Sequence, residues 1–247
     1  MKLGIMQPYL FPYIGYFQLI NSVDKFIAYD AVNFIKKGWI NRNKILLNGR
    51  EFIFMVPLKD ASSFNTIAQT EINDALYPEW RNKFLKTLRL SYTNAPHYQA
   101  VFDLVTSVFS ETTPHTISDL ASVSLVETMS YLNIKTEFIR AGEDNNNRYK
   151  EVENKQKANP ELMAKDRVSA ICKAEQMDAY INPIGGKELY SKEYFADQGI
   201  TLNFIKSANI QYPQFGGDFV PWLSIIDVMM FNAPDKVLEM LDSYSLE

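Results

Sequence analysis

Residues Lys2 to Val32, KLGIMQPYLFPYIGYFQLINSVDKFIAYDAV, constrain the fold more than any other stretch. Leu3 to Met6 is a short apolar run, the pattern of a parallel strand buried on both faces. Gln7 to Pro12 carries two prolines and no strong helix former, so the chain must turn there. Pro12 suits the first position of a helix, because its missing N–H would have no partner there in any case. Tyr13, Tyr16, Phe17 and Ile20 then recur on one helical face. Asn21 and Ser22 end that helix, and Phe26 to Tyr29 forms a second strand closed by Asp30. Strand, helix and strand in this order open a doubly wound α/β fold. Ligands of such folds bind in the loop at the strand's carboxyl end.

The remaining chain points to the same class. Lys44 to Leu47 and Glu51 to Leu58 flank Asn48-Gly49, a hairpin signal, and this hairpin is expected to extend the sheet. Helices predicted from Glu79 to Leu90, from Asn94-Pro96 to Ser110 and from Thr116 to Leu132 make a helical insertion over about 77–133. Asp119, three residues after Thr116, completes an acidic capping box. Thr136 to Arg140 is a strand, and the polar run over about 142–159 reads as a mobile loop. A helix from Asn159-Pro160 to Gln176, a strand from Ala179 to Pro183, a helix stopping at Gly199 and a strand from Thr201 to Ile205 follow. The carboxyl end holds a helix around Trp222 to Phe231, a break at Asn232-Ala233-Pro234 and a last helix to Tyr244. This alternation predicts one α/β domain over 1–247, with a mainly parallel sheet and helices on both faces.

Composition removes several function classes. The net charge of -4 gives no basic excess for a duplex, so nucleic acid is not an expected partner. A single cysteine, Cys172, rules out an intrachain disulfide framework and suits a reducing compartment. No apolar run approaches the ~20 residues that span a bilayer, and the amino terminus lacks the pattern of a signal peptide. A cytoplasmic protein with no membrane span is the expectation. His97, His115 and Cys172 share no metal-ligand spacing, so no metal site is expected. No phosphate-binding loop or G-x-G-x-x-G fingerprint names a cofactor. Oligomeric state leaves no mark in these patterns.

Three polar clusters fall at predicted loops. The first holds Gln7, Tyr9, Tyr13 and Tyr16, beside a helix amino terminus whose free N–H groups suit phosphate or carboxylate. Tyr13-x-Gly15-Tyr16 has the spacing of the H-x-G-H motif, and its place after the first strand resembles the nucleotidyltransferase-like Rossmann arrangement. Both histidines are tyrosines here, and a phenol with a pKa of ~10 stays neutral where imidazolium would be charged. The second cluster is Asp30 with Trp39, Asn41, Arg42 and Asn43. A carboxylate at a strand end can bond sugar hydroxyls, and Arg42 can clamp an anion in bidentate fashion. The third is Tyr212 and Gln214 with Ser224 and Asp227, the last two on one helical face. Each cluster also has a structural reading: a rigid aromatic turn, a charged hairpin shoulder and a reduced capping box. The three are expected to converge over one sheet edge into a single pocket, with Asp227 and Asp30 as the catalytic candidates.

The stretch MQPYLFPYIGYFQLI, with VDKFIAYDAVNFIKKGWINRNKI after it, resembles the WbqC-like family, and QYPQFGGDFVPWLSIIDVMMFN looks like that family's second signature. The pattern matches at Gln7, Pro8, Gly15, Tyr16, Asp24, Asp30, Trp39, Asn41, Arg42, Asn43, Tyr212, Ser224 and Asp227. The resemblance implies a role in bacterial surface-polysaccharide, especially O-antigen, biosynthesis. Transfer of an amino-acyl or other acyl group to an amino sugar is one activity it suggests. The expected partner is therefore a sugar or nucleotide-sugar substrate. The readings from the residues are a transferase taking an activated anionic donor, a nucleotidyltransferase with a degenerate H-x-G-H motif, and a non-catalytic sugar or nucleotide binder.

Overall fold

The structure, a computed structural model, describes residues 1–110, 112–143, 149, 152 and 164–247. Eight strands are described: β1 Lys2–Met6, β2 Lys25–Ala28, β3 Arg42–Leu47, β4 Arg50–Met55, β5 Glu137–Arg140, β6 Ala179–Pro183, β7 Thr201–Ser207 and β8 Tyr244–Leu246. The described α-helices are α1 Ile14–Asn21, α2 Tyr77–Tyr92, α3 Tyr98–Val108, α4 Ile117–Tyr131, α5 Ala164–Ala174, α6 Lys192–Asp197, α7 Ile225–Phe231 and α8 Pro234–Leu241. Six strands form one sheet in the order β5-β2-β1-β6-β7-β8. The first five run parallel, and β8 pairs antiparallel with β7.

The pleat divides the core in two. In β2, Phe26 and Ala28 face one helical layer while Ile27 faces the other. In β1, Leu3 and Ile5 join the second layer, and the space above Gly4 is filled by Phe26, Val23 and Leu19 of the first. The layers follow from chain direction. β1 steps to β2 through α1, whereas β5 returns past β1 to β6 and then β7. Right-handed crossovers in opposite directions must lie on opposite faces. So α1, α2, α3, α4, α7 and α8 supply one core, and α5 and α6 the other. Each Leu, Ile or Phe fully buried there contributes roughly 1.5–3 kcal/mol relative to exposure.

The doubly wound sheet agrees with the sequence reading, and two local expectations need correction. The hairpin β3-β4 is a separate two-stranded sheet and does not extend the main one. The outer edge of β3 is already taken: Leu46 N–H donates to the Tyr92 hydroxyl at 2.7 Å, and the Lys44 carbonyl accepts from Ser224 N–H at 2.8 Å. The last helix stops at Leu241, and Tyr244–Leu246 forms the edge strand β8. Three residues are too few to show a period. Of the expected mobile stretch, only residues 142, 143, 149 and 152 are described; Tyr149 and Val152 are buried in the second core. The expected helix start at Asn159-Pro160 lies outside the described residues.

Candidate functional site

β1 has β2 on one side and β6 on the other, so the crossovers diverge between β1 and β6. The loops leaving the carboxyl ends of these two strands cannot cover each other, which leaves a crevice. A cleft of ≈ 420 Å³ lies there. Gln7 and Tyr9 line it from the loop after β1, and Tyr29 from the end of β2. Tyr180, Asn182, Pro183, Gly185 and Gly186 line it from β6 and its turn, and Arg167 from α5. Arg167 is the one charged residue among the described residues that line it, and its guanidinium sits 5.6 Å from the centre of the Tyr29 ring. Burial pushes the phenols of Tyr9, Tyr180 and Tyr190 above the ordinary tyrosine value, so they act as neutral hydrogen-bonding groups near neutral pH.

The β6 turn is held tightly. Tyr180 donates its hydroxyl proton to Asn182 Oδ1 at 2.8 Å, and Asn182 Nδ2 donates to the Pro183 carbonyl at 3.2 Å. A Cβ at Gly186 would lie 1.7 Å from Asn182 Nδ2, whereas one at Gly185 would meet nothing within 4 Å.

The loop Gln7 to Pro12 is fixed by residues from distant parts of the chain. Asn43 Nδ2 donates to the Leu10 and Phe11 carbonyls at 3.1 and 2.8 Å. Ser224 Oγ donates to the same Phe11 carbonyl at 2.6 Å and accepts from Ile226 N–H at 3.2 Å, capping α7. Ile225 N–H donates to the Pro12 carbonyl at 2.8 Å, and Tyr16 donates its hydroxyl proton to the Gln7 carbonyl at 2.7 Å. Asn41 bonds the Val56 carbonyl at 3.0 Å across the hairpin base. Asn41, Asn43 and Ser224 are all buried.

Both aspartates expected as catalytic groups are fully buried. Asp227 accepts from Tyr92 and Tyr212 hydroxyls at 2.7 and 2.6 Å and from Gln214 Nε2 at 2.9 Å. Burial pushes its carboxyl above the ordinary value, partly offset by those three donors. Its side chain thus ties the loop after β7 to α2, and does not close a capping box with Ser224. Asp30 accepts from Ser118 Oγ at 2.6 Å, Arg140 Nε at 2.8 Å and Gly142 N–H at 2.8 Å. Arg140 also donates to Asp119 at 2.6 Å. Asp119 and Thr116 form the reciprocal cap of α4: Thr116 N–H donates to the carboxylate at 2.8 Å, and Asp119 N–H donates to the Thr116 hydroxyl at 3.1 Å.

A third group of side chains faces solvent beside α1. Tyr13 precedes the helix, and the hydroxyl end of its ring reaches over Gly15, where a Cβ would come within 2.4 Å of the ring. Only glycine leaves room for it. The ring of Trp222 meets Tyr13 at 6.0 Å and 62°. Trp222 has φ +60 and is 70% exposed. The left-handed conformation costs a residue with a Cβ roughly 1–2 kcal/mol, and little burial offsets it here. On the hairpin shoulder, Trp39 has the Arg42 guanidinium at 5.1 Å and Lys44 Nζ at 5.7 Å, while Arg42 donates to the Gly38 and Lys37 carbonyls.

Among the sequence candidates, then, Gln7 and Tyr9 line the switch-point cleft. Trp39, Asn41, Arg42, Asn43, Tyr212, Gln214, Ser224, Asp30 and Asp227 are not among its described lining residues, so Gln7, Arg42 and Asp227 do not share it. Tyr13, half-buried against the first core, pairs with the exposed Trp222, and Tyr16 packs 5.6 Å from Tyr9 behind the loop. Sequence reasoning passed over Tyr29, Arg167, Tyr180, Asn182 and Tyr190. The signal was the Asn-Pro-Ile-Gly-Gly turn after Ala179–Pro183, which gains meaning once β6 is known to neighbour β1. Among the described residues no group of three or more His, Cys, Asp or Glu could hold a metal ion. Burial pushes the Cys172 thiol up to about 12, which leaves it protonated.

The model of the WbqC-like protein family matches residues 7–239. A Mycobacterium tuberculosis protein, uncharacterized protein Rv1507c, is 26% identical over 240 residues, covering 95% of this chain and 96% of that one. No solved structure matches the chain significantly.

Proposed function

The chain belongs to the WbqC-like protein family, and from that premise we propose that the switch-point cleft takes the activated, anionic donor of a group transfer to a sugar in bacterial surface-polysaccharide precursor synthesis. The donor is a nucleotide-sugar or an acyl or aminoacyl donor, and the reaction is cytoplasmic. One observation carries the reading: the Arg167 guanidinium, the one charged group among the described lining residues, stands among aromatic rings at the carboxyl ends of β1 and β6. A ring against tyrosine and a phosphate or carboxylate on Arg167 is the ligand this wall accommodates. Gln7, Tyr9 and Asn182 would orient its polar groups. Asp30 and Asp227 enter as positioning residues, because their carboxylate oxygens are already bonded by neighbouring side chains and backbone.

Two alternatives differ in chemistry. A nucleotidyltransferase needs carboxylates or histidines near a triphosphate and its magnesium. Neither type lines the cleft among the described residues, and Tyr13 and Tyr16 replace the motif's histidines. A non-catalytic binder of the same donor is favoured by that same lack of an acid or base at the cleft.

Thermal shift against nucleotide-sugars, magnesium triphosphates and acyl donors tests the reading. A true donor at ~100 times its Kd should stabilise the protein by ~2.7 kcal/mol, and Arg167→Ala should remove that gain. A triphosphate as the best ligand, or a donor bound equally well by Arg167→Ala, would sink it. Binding without product in the presence of amino-sugar acceptors would leave the binder.

A further inference from the structure

We infer that Trp222 and Tyr13 form a pyranose-stacking surface, the acceptor side of the group transfer proposed above, on which this inference rests. Trp222 occupies a left-handed position where Gly or Asn would turn the chain more easily, yet its ring stays 70% exposed. Neither packing nor backbone preference explains a tryptophan there. Strain of this kind held at a surface marks a ligand contact when the neighbouring geometry agrees. It does agree: Gly15 leaves the space that lets the Tyr13 ring lie beside Trp222.

The shape selects the ligand. The two rings meet at 62°, forming a corner and not a parallel clamp. A planar base would touch only one wall of a corner. A pyranose is puckered and presents C–H groups on more than one side, so it can touch both. Ser207 and Asn209 are among the residues lining the small hollow beside the corner, ≈ 40 Å³; the Ser207 hydroxyl donates to the Ala208 carbonyl at 3.2 Å and keeps its acceptor lone pair for a sugar hydroxyl. Tyr9 lines the cleft and lies four residues before Tyr13 in the chain, so one short segment carries a side chain of each surface.

The test is saturation-transfer NMR with methyl β-glucoside and methyl N-acetyl-β-glucosaminide. Wild-type protein should transfer saturation chiefly to the axial ring protons. Trp222→Phe should keep most of that signal, and Trp222→Gly should lose about fivefold or more, the order expected for one aromatic contact. Trp222→Gly should melt at the wild-type temperature or above, because glycine relieves the left-handed strain. Absence of transfer from wild-type protein overturns the inference, as does an unchanged signal in Trp222→Gly. A lower melting temperature for Trp222→Gly overturns it too, since it assigns the tryptophan to stability. Methyl glycosides carry no charge for Arg167 to hold, so this readout stands or falls apart from the donor assay.

Discussion

The pinned loop at Leu10 to Pro12 and the cleft at Asn182 to Gly186 are built from opposite uses of polar groups. At the loop, Asn43 and Ser224 point inward and are consumed by the chain's own carbonyls. At the cleft, Gln7 and Tyr9 line open space, and the Tyr180–Asn182 pair beside them supports the wall. Both regions are dense in residue types that read as functional. The difference teaches that an unusual polar motif can mark a joint where three distant segments must meet: the first loop, the hairpin and the α7 start. Such a joint demands specific donors because buried carbonyls tolerate no vacancy.

The comparison breaks most readily at Asp227. Asp227→Ala removes the acceptor of three donors and should cost about 3 kcal/mol, read as a lower urea midpoint with unchanged slope; a stable but inactive variant would instead return the residue to the chemistry. Asn43→Ala should follow at about 2 kcal/mol, since it strips donors from two buried carbonyls. Acid titration sharpens the contrast between the carboxylates. Burial raises Asp119, but bonds from Thr116 and Arg140 more than offset this and hold it below its ordinary value. Its contribution is therefore complete above the unfolded value of ~3.9 and is lost as pH falls through the lower folded value. Asp227 runs the other way: its folded value is raised, so protonation relieves a burial penalty as pH falls. The stability gap between wild type and Asp119→Asn should shrink on acidification, and that for Asp227→Asn should widen. Arg167→Ala forfeits the contact with the Tyr29 ring, worth about 1 kcal/mol, and should cost less stability than Asn43→Ala while donor affinity falls; a larger loss of stability would make Arg167 another joint.

Much of this architecture was legible in the sequence. Leu3 to Met6, Tyr13 to Ile20 and Phe26 to Tyr29 carry the periods of a buried strand, a helix and a strand, and the sheet begins with them. The Thr116–Asp119 cap formed as read. The hairpin was recognised from Asn48-Gly49, but turn chemistry fixes only a local pairing, and no pattern in β3 tells which sheet its far edge meets. The cleft lay deeper still. Tyr29 lies more than a hundred residues before Arg167 and Asn182 and becomes their neighbour only through the order of β2, β1 and β6. Strand order depends on long-range packing, and spacing along the chain does not encode it.

The tight contact at Gly186 lets the cleft wall be rearranged without touching charge. A single methyl group there must displace the Asn182 amide, and with it the partner of the Tyr180 hydroxyl. The glycine beside it has empty space in the same direction. Gly186→Ala and Gly185→Ala thus form a matched pair, identical in composition, of which only the first forces the Asn182–Tyr180 wall to move.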